Sequence, residues 1–373
     1  MASKGKGKAS SAKGSTIDLT RLLTTQDQRD KFMHFFFKKN LTPPKFGNLP
    51  TFNSDCFDFP RLFQAQKVYE FISDNGVYYP DVVRAFYCNM EFENQTLTSS
   101  VKRVPISLSL QQFGECLKIP FEGIEIPVKN NAQLPGYVKK DFYYDISRIS
   151  EHEYNEKRRK LTGKLPEKPS WSAGNLTIND RMIHYVLSYV LVPKMSNHAT
   201  INDLEMQLLF AVKNGIQVNW AYVIMHHLAN HGEYSTGLPY ARVLTKIFRK
   251  FKVNLTSESI AKMEPSECAI TSDVVNSKMG VVYDPYLKTY NYITHNADEE
   301  VAPPPPPQQH AGEPTNQMIM DFMTQGFNRM DIQFDVMRQE FGSLRQDMAG
   351  MSSRMDRFET YQRRDEDDQM NQD

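Results

Sequence analysis

From Met320 to Phe358, large apolar residues recur at alternating steps of three and four: Met320, Met323, Phe327, Met330, Phe334, Met337, Phe341, Leu344, Met348, Met351, Met355 and Phe358. A seven-residue repeat keeps one stripe on one side of a helix, and such a helix cannot bury that stripe alone. The spacing predicts a coiled coil over 317–362 and, with it, self-association. If Met320, Phe327, Phe334, Phe341, Met348 and Met355 take the a positions, Glu340–Arg345 and Arg354–Glu359 face each other with opposite sign between parallel partners. The seam holds Met and Phe with one Leu. Met specifies packing geometry poorly, so the stripe leaves the oligomer number open. The competing arrangement is a long helix packed back on its own domain. A 3.5-residue period sustained over this length favours the supercoil.

Two breaks isolate the rest of the chain. Residues 1–19 open with Gly, Ser, Ala and Lys, among them Lys4, Lys6, Lys8 and Lys13, and lack the apolar content to form a core. Residues 296–316 hold the run Pro303–Pro307, which is stiff and extended. Residues 363–373 are a charged, polar tail. Between the breaks, 20–295 reads as one helical domain. Apolar spacing predicts helices over 27–39, 61–73 and from Pro80 onward. Thr96–Leu108 is extended and hairpin-like, and 109–118 is a short helix. Residues 125–175, rich in proline and charge, are expected to wrap the surface. Four helices follow, opened near Asn179, Thr200, Trp220 and Pro239, and Val281–Ile293 reads as a hairpin. The fold class this implies is mainly α: a multi-helix globular domain with minor β hairpins, followed by a long C-terminal coiled-coil helix.

Composition excludes some partners. The 44 basic and 44 acidic residues cancel, so no global field draws the chain to nucleic acid or membrane, and any such binding needs a local patch. Cys56, Cys88, Cys116 and Cys268 stand far apart, which argues against a zinc knuckle. No apolar run has signal-peptide or membrane-span character, so an intracellular chain with reduced thiols is expected, and no membrane partner.

Three constellations bear on chemistry. His226, His227 and His231 cluster, and the last two stand four apart on a helix, a spacing metal ligands can use. A metalloprotease would need Glu at 228, and that residue is Leu, so ordinary helix histidines are the reading and no metal or cofactor is assigned. Lys157, Arg158, Arg159 and Lys160 form a basic run suited to nuclear import or phosphate contact, set against Glu151, Glu153 and Glu156 just upstream. Arg242, Lys246, Arg249 and Lys250 line one side of a helix opposite Val243, Ile247 and Phe251, the best nucleic-acid candidate in the folded part, although such faces are common on helices that bind nothing. No Asp-Thr-Gly, Asp-Ser-Gly, Tyr-x-Asp-Asp or phosphate-binding loop is present, and no catalytic residue or small-molecule substrate is indicated.

Tyr79-Pro80-Asp81-Val82-Val83-Arg84-Ala85-Phe86-Tyr87-Cys88-Asn89 resembles the Y-P-x-L-V-R-x-F-Y-x-N segment of the plant transposon protein domain, found in mobile-element-derived plant proteins. Val101–Ile106 resembles its next extended stretch. Leu191-Val192-Pro193, Leu208–Val212 and Leu238-Pro239-Tyr240 to Leu244-Thr245 resemble its helical second half. The resemblance spans about residues 30–255 and departs at Gly76-Val77-Tyr78, where an R-G-W-like element is the pattern. It implies a mobile-element origin and brings no catalytic residues with it. Residues and resemblance together predict a non-enzymatic binding or assembly protein, nuclear or cytoplasmic, that self-associates. The alternatives are a transposase-type DNA-binding or DNA-processing protein and a capsid-like nucleic-acid-packaging protein, with weak, nonspecific nucleic-acid contact.

Overall fold

Side-chain caps or a proline in the first turn set most helix starts. The computed structural model describes residues 18–292 apart from 130–132, 163–170 and 285. Thr25 and Gln28 cap each other's backbone to open α1 (Gln26–Lys31), which widens into a π turn at Phe32–Phe36. Strand β1 (Phe46–Gly47) follows. Helix α2 (Phe59–Ala65) and helix α3 (Tyr69–Ser73) are separate elements where one helix over 61–73 is expected. Lys67 between them takes φ 56°, a left-handed conformation that no α-helix continues through. Pro80 opens α4 (Pro80–Cys88), as its fixed φ favours.

The fold class needs correcting. Helix makes up 46% and strand 14% of the described residues, in three sheets of two, three and two strands, so the domain mixes α and β rather than being mainly α. Strands β2 (Glu91–Glu93), β3 (Thr96–Val101) and β4 (Val104–Ser109) form an antiparallel sheet in the order β2-β3-β4. Burial alternates along β3, which lays Leu97, Ser99 and Val101 against the core. Ser109 and Gln112 then cap α5 (Leu110–Leu117). The stretch expected to wrap the surface instead carries α6 (Lys139–Asp145) and α7 (Glu151–Thr162), with Phe142 and Tyr143 buried. The long C-terminal coiled coil lies outside the described residues, as do its seam residues Met320–Phe358, the linker at 296–316, the polar tail at 363–373 and the lysines before residue 18.

The second half is built from α8 (Ile178–Val186), which widens into a π turn at Leu187–Leu191, then α9 (Asp203–Lys213), α10 (Trp220–Ala229) and α11 (Ala241–Lys250). A short α12 (Pro265–Cys268) leads into β5 (Ala269–Ile270), which pairs in parallel with β1. Helix α13 (Asp273–Lys278) precedes the hairpin of β6 (Val281–Asp284) and β7 (Thr289–Tyr292). No helix among the described residues is long and apolar enough to cross a membrane.

Buried carboxylates pin segments that are remote in sequence. Glu205, with no exposed surface, accepts from His184 Nε2 at 3.2 Å and from Lys194 Nζ at 2.8 Å, and completes the Asn202 capping box of α9. Burial pushes its carboxyl up, but His184 and Lys194 outweigh that and hold it down at about 2. Glu258 is clamped between Arg21 and Lys102, the latter at 2.6 Å, which ties the start of the domain to the β3–β4 turn. Asp180 takes Lys213 at 2.7 Å. Glu205→Ala leaves Lys194 and the α9 cap without their acceptor, and should cost about 3–5 kcal/mol in a denaturant melt. A loss under 1 kcal/mol would show that this cluster does not hold α8 and α9 together.

Candidate functional site

Helix α10 is fixed at its N-terminus by side-chain hydrogen bonds from Asn219 and Gln66. Asn219 accepts from Tyr222 N at 2.9 Å. Buried Gln66 accepts from Val218 N and from the Trp220 indole, both at 3.2 Å, and donates to Ile216 O at 2.8 Å. Gly123, at φ 116°, lets the strap 123–128 run tightly past this start. A Cβ there would lie 2.6 Å from Gln217 O, and Ile124 N donates to that same carbonyl at 2.8 Å.

The C-terminal end of α10 opens onto two adjoining cavities. One, of about 490 Å³, lies among Lys31, Phe36, Tyr87, Met90 and the loop His231–Ser235. The other, of about 430 Å³, lies among Phe92, Pro127, Val128, Lys129 and His226. Both touch Met90, Ala229 and Asn230, so together they form a groove across the end of the helix. The loop over the first cavity is held at several points: Glu233 pairs with Lys31 at 2.9 Å, Lys39 Nζ donates to Gly232 O at 3.0 Å and also to Glu233 O, and Phe35 packs edge-on against Tyr234, which is 79% exposed.

His226 and His231 line the groove, and His227 packs beside His231. The His226 ring centroid lies 3.9 Å from that of Tyr222 and 4.9 Å, in an edge-to-face arrangement, from that of Phe92, and its Nε2 is buried without a hydrogen-bond partner among the described residues. Tyr240 is itself at φ 61° and its hydroxyl donates to Leu191 O at 2.8 Å. That hydroxyl has one proton, so His227 Nδ1, 2.9 Å away, must be the donor to it. His231 Nδ1 donates in turn to His227 O at 2.7 Å. Burial, with His231 alongside, pushes His227 down to about 3, and burial lowers His231 and His226 as well. Away from the groove, His198 stacks on Tyr189 at 3.8 Å, and burial takes it down to about 4.

The candidate residues read from sequence do not come together. Arg242 is 5% exposed, its guanidinium donating to Phe71 O at 3.0 Å and pairing with Asp74, so it cannot reach a phosphate outside the domain. Lys246 pairs with the same Asp74. Arg249 and Lys250 remain exposed at the end of α11. Lys157, Arg159 and Lys160 are exposed on α7, where Arg159 pairs with Glu156 at 2.7 Å, and Arg158 lies over Tyr154. Met90, Phe92, Lys39 and Tyr240 were not anticipated. Only the spacing of His227 and His231 pointed toward the groove. Searches against family models, curated proteins and solved structures found no match.

The buried histidines make the fold sensitive to acid. Each is neutral when folded, whereas an unfolded histidine takes up a proton near pH 6.5. Their contribution to stability is therefore complete above about pH 6.5 and is lost as the pH falls toward the folded values. Between pH 7 and pH 5, His227 and His198 together should cost about 2–4 kcal/mol in urea melts. A pH-independent midpoint over that range would contradict the neutral burial of these rings.

Proposed function

We propose that the chain is a non-enzymatic binding and assembly protein of mobile-element type, with the groove at the end of α10 as its contact surface in the folded domain. The observation that carries this reading is the groove itself. It is open, joins two cavities of about 490 and 430 Å³, and is lined by Met90, Phe92 and Phe36 together with the charged Lys31 and Glu233. Further support comes from the charged side chains of the interior. Glu205, Asp180, Glu258 and Asp74 are each engaged by a cation from another segment, so they act as cross-links within the fold. The apolar repeat at 320–358 supplies self-association in this reading, and the resemblance of residues 30–255 supplies the origin.

Purification of the full chain with and without nuclease, followed by mass measurement and identification of what co-purifies, tests the proposal. A protein partner retained by wild type and lost on Met90→Glu, with the melting temperature unchanged, is the expected result. Retention by that variant would remove the groove from the account.

Nucleic-acid binding is the second reading, favoured by the exposure of Arg249 and Lys250 together with Lys157, Arg159 and Lys160. Contacts of this kind release counterions and ignore sequence, so binding should be weak and fall steeply with salt. Arg249→Glu with Lys250→Glu should remove most low-salt binding in a shift assay without unfolding the domain. Arg242→Glu should instead lower stability by about 3–5 kcal/mol, because it places a second carboxylate beside Asp74. Sequence-selective binding at physiological salt, or metal-dependent strand cleavage, would replace the binding-protein reading with the DNA-processing one.

A further inference from the structure

We propose that His227 and His231 form a chelating pair for a divalent transition-metal ion at the end of α10, beside the larger cavity of the groove. The argument starts from their other nitrogens. His231 Nδ1 donates to a backbone carbonyl, and His227 Nδ1 donates to Tyr240, whose own proton is committed to Leu191 O. Each imidazole is thereby held as the tautomer that carries its proton on Nδ1. The lone pair is then on Nε2 in both rings. Neither Nε2 has a hydrogen-bond partner among the described residues, and both residues are half-buried rather than enclosed. A metal-ligating histidine characteristically donates its second ring N–H to a carbonyl or another fixed acceptor, which orients the ring and raises its basicity. Both rings meet that condition before any ion arrives.

The geometry fits. The ring centroids are 4.8 Å apart with 52° between planes. A tetrahedral Zn²⁺ with bonds of about 2.0–2.1 Å separates two nitrogens by roughly 3.3 Å. Rings at this centroid distance can present their Nε2 atoms at that separation. No group of three or more His, Cys, Asp or Glu is placed to hold an ion among the described residues, so the pair would leave the other positions of a tetrahedral ion to water or an incoming ligand. That leaves the ion open to a further ligand from whatever enters the cavity beside His231.

Isothermal titration of the full chain with Zn²⁺, in a non-coordinating buffer, tests the site. Wild type should take up one equivalent that is absent in His231→Gln, and that variant should melt like wild type without Zn²⁺. His152→Gln, on the exposed face of α7, should bind as wild type does. Tyr240→Phe keeps both imidazoles but removes the acceptor that fixes the His227 proton, so its affinity should drop about tenfold. If Tyr240→Phe does not fold, the His231→Gln comparison decides alone. Equal uptake by wild type and His231→Gln, or no uptake by wild type up to millimolar Zn²⁺, would overturn the proposal.

Discussion

The segment Leu238–Tyr240 is buried, and every backbone polar group it takes out of water has to find a partner there. The partners come from across the chain. Leu238 N donates to Asn40 O at 3.0 Å and Leu238 O accepts from Thr42 N at 2.9 Å, a parallel bridge to the N-terminal part. Pro239 O accepts from the Tyr87 hydroxyl on α4 at 2.9 Å. Tyr240 then joins the π turn of α8 through Leu191 and α10 through His227. A tripeptide thus ties α4, α8, α10 and α11 together. Without it, α10 would lose the contact that orients His227.

The Tyr240–His227 contact also decides what the histidines can do. A tyrosine proton already given to Leu191 leaves the imidazole no choice of tautomer. Burial then makes protonation unfavourable, so the ring stays neutral at a pH where a free histidine would carry charge. The electrostatics of the interior follow the same logic with opposite sign. Glu205 keeps its charge because His184 and Lys194 surround it, and Asp74 keeps its own between Arg242 and Lys246. Such pairs are costly to break and seldom gain much over apolar packing. Their effect here is to fix which segments meet.

What could be read from sequence was local. Pro80 at the first turn of α4, the extended stretch from Thr96 and the short helix from Ser109 are short-range signals, and each produced the element it announces, whereas α9 opens at its Asn202 cap rather than near Thr200. The tail's heptad repeat is equally local, and it falls outside the described residues. The parallel pairing of Phe46–Gly47 with Ala269–Ile270 joins segments more than two hundred residues apart through two-residue strands, too short to carry a pattern. Arg242 was misread for a related reason. Its spacing places it with Lys246 on a polar face, but Asp74 and the Phe71 carbonyl and ring draw it inward from a distant helix. The groove likewise draws its walls from α1, the β2 region, the strap at 123–128 and the loop after α10. Of these only the four-residue histidine spacing leaves a mark in the sequence.

The central claim is that His227 is a neutral imidazole held with its proton on Nδ1 by Tyr240. Nitrogen-15 NMR of a histidine-labelled sample measures this directly, because the two ring nitrogens shift differently for each tautomer and for the protonated ring. The account predicts the Nδ1–H pattern for His227 unchanged from pH 7 to pH 5, and its loss in Tyr240→Phe. An Nε2–H pattern, or titration of His227 near pH 6.5, would contradict it.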